Sequence, residues 1–271
     1  TRPSFPVVTL PGEREAYEEA AAAPSGANHT PAAPIERVAR MERPEIGEVS
    51  NVDFPAVERS RLSNGIEVIY AQRDAVPATK VTVDFDAGLA ADDASKLGLQ
   101  TLMLDLMEEG TKTLNATQLA EARETLGASI STGASMDRSF VALSAVTPNL
   151  QSSVALLADV VKNPAFAPAE LERLRATRLA GIAAERTQPA ALAARALPEL
   201  LYGAASPYGR PFSGNGDEAS VGAITPAEIQ ADYAVWIRPD NAKIFVVSDR
   251  PLSEIAPVLE GQRIEVPSWA Y

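Results

Sequence analysis

Cysteine is absent from the 271-residue chain, and histidine occurs once, at position 29. The first absence excludes disulfides, zinc ribbons, iron–sulfur sites and thiol nucleophiles. The second excludes any site built on two imidazoles, and a Ser-His-Asp triad would have to recruit His29. No apolar run reaches the roughly 18 residues that a membrane-spanning helix needs. Basic residues are in deficit, 24 Lys and Arg against 36 Asp and Glu, for a net charge of -12. Binding a polyanion requires clustered cations, so the balance argues against nucleic acid as a partner. The excess acid keeps the chain soluble and could favour basic peptides. Thr1 opens no charged-then-apolar leader, so no signal peptide is expected. The compartment stays open between a bacterial periplasm and cytoplasm, the periplasm slightly ahead, because a periplasmic protein can also do without cysteine.

What is present is ordinary globular material, 46% hydrophobic and 22% charged, enough for one large domain or one domain with an extension. Residues 1–56 differ from the rest. Eight of the 21 prolines fall there, beside an Ala run at Ala20–Ala23 and acidic clusters such as Glu18-Glu19. Proline at that density forbids a long helix or a central strand. The segment reads as a Pro/Ala-rich acidic linker or strap, with short helical turns around Glu13–Ala23 and Ile35–Met41. His29 sits inside it and reads as a surface residue.

From Val57 onward the periodicity is regular. Ser63-Asn64-Gly65 marks a turn between strands Glu58–Leu62 and Glu67–Ala71. Lys80–Asp86 alternates as a half-buried strand. Leu99, Leu102, Met103 and Leu106 then fall at helical spacing over Gly98–Met107, with Gly110 expected as the C-terminal cap. A helix is predicted over Ala116–Leu126, ending at Gly127, then strands Ala128–Ala134 and Arg138–Val146. Helices Leu150–Val161, Pro168–Thr187 and Ala190–Tyr202 follow. Thr225-Pro226-Ala227-Glu228 opens another, running to Ile237. Ala242–Ser248 reads as a buried strand, and Leu252–Leu259 as a short helix. The expected fold is α+β: a mainly antiparallel sheet of about five to six strands with helices packed on one face.

Catalytic constellations are few. No phosphate-binding G-x-x-x-x-G-K-[ST] loop and no G-x-S-x-G elbow occurs, and Gly214-Asn215-Gly216 reads as a turn. Asp92-Asp93 and Glu108-Glu109 could bind a hard cation in principle, but adjacent carboxylates read first as solvated charge. Met103, Met107 and Met136 read as core filler.

An ordered series of landmarks runs through the domain. Leu62-Ser63-Asn64-Gly65-Ile66-Glu67-Val68 comes first, then Asp86-Ala87-Gly88, Gly98-Leu99 and Glu109-Gly110-Thr111-Lys112. Leu126-Gly127-Ala128, Asn163-Pro164-Ala165-Phe166, Pro207-Tyr208-Gly209-Arg210-Pro211 and Arg238-Pro239-Asp240-Asn241 complete it. In this order and spacing, from about Val57 to Asp249, the chain resembles the M16 (pitrilysin/insulinase-like) zinc metallopeptidases.

The resemblance implies a specific helix. Active members carry His-x-x-Glu-His between the first glycine and the Gly-Thr. Residues four apart share one helical face, so both imidazoles reach one Zn²⁺, and the glutamate takes a proton from the metal-bound water. Aligned on Gly98 and Gly110, those positions fall on Thr101, Leu104 and Asp105. Thr101 stands for the first histidine, Leu104 for the general base and Asp105 for the second histidine. The family's third ligand, a glutamate on a later helix, falls near Glu172 or Leu174. The set implies no catalytic residue, no metal ligand and no cofactor in this chain, with zinc expected in a catalytic half.

The family is assembled from two halves, each of two related domains, closing like a clamshell on a peptide. This chain resembles the first domain of the half that has lost the motif, with residues 57–271 as the domain and 1–56 as the strap. Its implied partners are a catalytic M16 half, fused or separate, and peptide substrates. The alternative is a structural or assembly protein that uses the same fold with no role in proteolysis. A free-standing enzyme using the paired acids is the remaining reading.

Overall fold

The computed structural model describes residues 54–262, together with Gly47. Most of the strap, with its two predicted helical turns and His29, lies outside the described residues.

Strands β1 (Val57–Arg61) and β2 (Glu67–Gln72) form an antiparallel hairpin. Gly65 turns it at φ 92, a left-handed conformation that a Cβ would strain. Then follow β3 (Ala78–Phe85), α1 (Leu99–Met107) and α2 (Ala116–Leu126). β4 (Ser129–Ala134) and β5 (Ser139–Val146) form a second hairpin. Helices α3 (Leu150–Lys162), α4 (Pro168–Glu185) and α5 (Pro189–Tyr202) come next. The described chain ends with α6 (Glu218–Ala223), α7 (Pro226–Trp236), β6 (Ala242–Ser248) and α8 (Leu252–Gly261).

The six strands make one mixed sheet in the order β1-β2-β6-β3-β5-β4, antiparallel throughout except where β6 runs parallel to β2. The late strand β6 is therefore central. Its hydrogen bonds tie the first hairpin to the rest of the domain.

One face of the sheet carries Val68, Tyr70, Val81, Val83, Phe85, Val141, Leu143, Ile244 and Val246, all buried in the same cluster as the apolar sides of α1, α3, α7 and α8. The other face is polar or part-exposed. Phe245, 40% exposed, and Val247 lie on it, so β6 is not buried throughout as its composition predicts. Alternation sends every second residue to the side that no described helix covers.

The helix boundaries mostly follow their caps. Asn115 and Gln118 form a capping box at the start of α2, and Gly127, at φ 60, closes it. Thr225 and Glu228 do the same for α7. Two expectations need correction. Gly110 does not cap α1, which ends at Met107 with Glu108 as its C-cap. Gly110 instead bridges to Asn115, and its neighbour Thr111 bridges to Pro164. In addition, α6 follows directly on the Gly214-Asn215-Gly216 turn, in a stretch for which no element is predicted, where Asp217 and Ser220 build a capping box.

Candidate functional site

Helix α1 is the centre of the site. Seven of its nine residues are buried, leaving Thr101 and Asp105 partly open on one face. Its N-terminus is held by Asp92. One carboxylate oxygen accepts from the Gly98 N–H at 2.8 Å and the other from the Gln100 N–H at 2.9 Å. These are the free amide groups of a helix's first turn, and a carboxylate also suits the positive end of its dipole. Burial pushes the Asp92 carboxyl up to about 6, although the amides of Gln100 and Gly98 and the charge of Arg210 pull it down.

Asp232 on α7 shares this electrostatic neighbourhood and is raised to about 7, by burial first and then by the charge of Asp92. Its Oδ2 has no hydrogen-bond partner among the described residues. Lys96 is engaged elsewhere, 2.9 Å from Glu228. Gln100 is fully buried and donates from Nε2 to Ser139 Oγ at 2.9 Å.

The adjacent acids singled out in the sequence have separate structural tasks. Asp93 accepts from the Ser95 amide and hydroxyl at 2.8 and 2.6 Å. Glu108 accepts from the Thr132 amide at 2.7 Å and hydroxyl at 2.8 Å, and Glu109 pairs with Arg173 at 2.6 Å. Met103 and Met107 are fully buried in the core.

The three positions at His-x-x-Glu-His spacing lie as follows. Leu104 is 1% exposed, within the apolar core. Thr101 and Asp105 are joined by Arg178 of α4, whose Nη1 donates to Thr101 Oγ1 and whose Nη2 donates to Asp105 Oδ2. The Thr101 hydroxyl donates in turn to the Gly214 carbonyl at 2.6 Å. Burial raises the Asp105 carboxyl above its usual range, against the pull of Arg178, and Glu109 adds to the rise. Glu172 is turned away and pairs with Arg175, while Leu174 packs against the core.

The segment between α5 and α6 closes over α1. Arg195 of α5 donates to the Gly216 carbonyl and pairs with Glu185 at 2.9 Å, and Glu185 accepts from Asn215 Nδ2 at 2.7 Å. Gly214 adopts φ 68, and a Cβ there would stand 2.6 Å from the Thr101 methyl. The turn is thus wedged against the site. Sequence reasoning missed Arg178 and Arg195. An arginine on an amphipathic helix signals only a solvated face, and the partner Asp105 lies 73 residues before Arg178.

A six-stranded mixed sheet backed by helices, with α1 buried beneath α4 and α7, defines an α+β domain. The chain belongs to peptidase family M16: residues 67–212 match the family model described as Insulinase (Peptidase family M16). Among curated proteins it is 25% identical over 137 residues to the non-peptidase homolog YmxG of Helicobacter pylori, covering 51% of this chain and 32% of that one. It is 27% identical over 186 residues to the uncharacterized zinc protease Mb2805c of Mycobacterium bovis, covering 69% of this chain and 42% of that one. Among solved structures, the peptidase M16 inactive domain from Pseudomonas fluorescens superposes with a TM-score of 0.72 at 25% identity, over 80% of this chain and 53% of that one. The chain therefore spans between about a third and about half of the length of these relatives.

The family implies zinc, and the residues around α1 do not fit it. They offer a hydroxyl, a carboxylate and a guanidinium, where zinc takes imidazole, thiolate and carboxylate donors. A guanidinium has no lone pair to give and carries the same sign of charge as the metal. Among the described residues, no group of three or more His, Asp or Glu could hold a metal ion. No helix among them is long and apolar enough to cross a membrane.

Proposed function

We propose that this chain is a non-catalytic M16 domain, forming part of the wall of a chamber that encloses peptides for a zinc-bearing catalytic half. That half stands on the same polypeptide or on a separate chain, and zinc belongs to it. One observation carries the reading: at the motif spacing on α1 stand Thr101, a core-buried Leu104 and an Asp105 tied to Arg178. No imidazole stands there, and an aliphatic side chain, Leu104, fills the position of the family's general base. Likeness to a protein named a non-peptidase homolog and to another named an inactive domain supports it. Residues 57–271 constitute the domain and 1–56 the strap before it. The family match at 67–212 falls inside the former.

Helix α5 supports the pairing with a second half. Leu192, Leu197, Leu200, Leu201 and Tyr202 are all exposed on it, and Tyr202 continues into a ring cluster with Tyr208 and Phe212 at 6.0 and 6.4 Å. An apolar patch of this kind marks a surface that another protein covers. The match to only 53% of the Pseudomonas fluorescens chain supports a further M16 domain as the occupant. The -12 charge favours basic peptides inside the chamber.

The test is incubation of the full chain with zinc and a mixed peptide library, read by mass spectrometry and by zinc content after desalting. No cleavage and no retained zinc are expected. Stoichiometric zinc together with zinc-dependent hydrolysis by this chain alone overturns the reading.

A further inference from the structure

We infer that Arg178, one turn beyond Leu174 and in place of the expected Glu172 or Leu174, stands at the position of the absent third ligand, and that its guanidinium replaces the metal as the cation joining α1 to α4. The inference rests on the reading of Thr101 and Asp105 as former ligand positions, and it adds why the site is closed to metal.

A bound metal ion would couple the two helices by taking donors from both. Here Arg178 does the same with hydrogen bonds. Its two terminal nitrogens reach Thr101 and Asp105, one helical turn apart on α1, and Nη1 also lies 3.4 Å from the Gly214 carbonyl. The Arg178 side chain is only 12% exposed and that of Asp105 43%, so the cation is the more deeply set partner. The planar fork suits this task, because it presents several donors in fixed directions and never loses its charge.

The third element is the turn at Gly214. The Thr101 hydroxyl donates to the Gly214 carbonyl while it accepts from Arg178. One cation thus organises α1, α4 and the turn together, and the lock forms on folding with no cofactor.

Two consequences follow from charge and space. Replacing Thr101 and Asp105 with histidines does not by itself create a zinc site, because the guanidinium would still lie between the imidazoles and repel the ion. Replacing Arg178 with glutamate removes the resident cation and leaves two carboxylates, Asp105 and the new one, facing each other across α1 and α4. Such a pair draws a divalent cation between them.

Four full-length proteins test this: wild type, Arg178→Glu, Thr101→His/Asp105→His, and Thr101→His/Asp105→His/Arg178→Glu. Zinc itself is the probe, read by competition with a chromogenic chelator and by the shift in melting temperature. The triple variant is expected to bind one zinc at least 100-fold more tightly than the double variant, and to melt higher with zinc than without. Arg178→Glu alone is expected to melt lower than wild type and to regain several degrees with zinc, where wild type regains none. Leu104 is left unchanged so that no carboxylate is buried in the core.

Equal zinc affinity in the double and triple variants overturns the inference. So does a folded triple variant that ignores zinc. Should the histidine variants fail to fold, the single variant decides. A zinc response in Arg178→Glu supports the resident-cation role, and an unchanged melting temperature with and without zinc overturns it. None of these outcomes bears on peptide hydrolysis by the wild type, which is the separate test of the non-catalytic reading.

Discussion

Helix α1 buries seven of its nine residues, whereas α5, also rich in leucine, buries only Pro198 among its fourteen. The former lies within the core beneath α4 and α7, its two open positions fastened by Arg178 and its N-terminus by Asp92. The latter is fastened through Arg195 and turns four leucines outward. Apolar content alone therefore does not decide which helix is core. What decides is whether this chain supplies the facing surface, and for α1 it does.

The comparison breaks first at α1. Leu102 is fully buried, so Leu102→Ala should cost about 3–4 kcal/mol of unfolding free energy in denaturant titration. A loss under 1 kcal/mol would mean that α1 is not the packed helix described. Gly214→Ala is expected to cost about 2 kcal/mol, because φ 68 strains a Cβ and the Thr101 methyl stands 2.6 Å from it. Thermal melts of that variant beside Gly203→Ala, where a Cβ meets nothing within 4 Å, separate wedging from backbone strain.

The acid pair at the start of α1 gives a pH dependence. Asp232 titrates near 7 in the folded protein, raised by burial and by Asp92, against about 3.9 in an unfolded chain. A raised carboxyl favours the folded state while it is protonated. That contribution is lost as pH rises from about 4 through about 7. Asp232→Asn should therefore leave stability nearly unchanged at pH 4 and raise it by about 1–2 kcal/mol at pH 8. Equal effects at both pH values would show that the carboxyl is not perturbed. Lys96, paired with Glu228, should hold its place in the variant.

The smallest effect on stability is expected at α5. Leu200 is 80% exposed, so Leu200→Ala should shift unfolding by less than about 0.5 kcal/mol. Combined with Leu197→Glu and Leu201→Glu, it should still abolish pairing with a companion M16 half in sedimentation velocity. A stability loss as large as that of Leu102→Ala would erase the contrast between the two helices.

Much of the scaffold was legible because its signals are local. The cap at Thr225, the stop at Gly127 and the turn at Ser63-Asn64-Gly65 set element ends with a precision of a residue or two. Alternation in β3 marked its buried face. The failures share a different cause. Gly110 looks like a helix cap, but its conformation serves a bridge to Asn115. β6 looks buried, but among the described residues helices pack on only one face of the sheet. Asp92-Asp93 looks like one acidic pair, but the first residue caps a helix and the second binds Ser95.

The sequence by itself determined what this domain cannot be. With no cysteine and a single histidine at position 29, no pair of imidazoles can stand on α1, and that follows from composition with no geometry at all. The periodicity of α1 likewise determined a helix whose open face holds Thr101 and Asp105. Only the tertiary structure decided what meets that face. Arg178 arrives there from 73 residues away because α4 packs across α1, and long-range packing of this kind leaves no local pattern in the chain. The same holds for α5, whose exposure depends on a surface that the described residues do not supply.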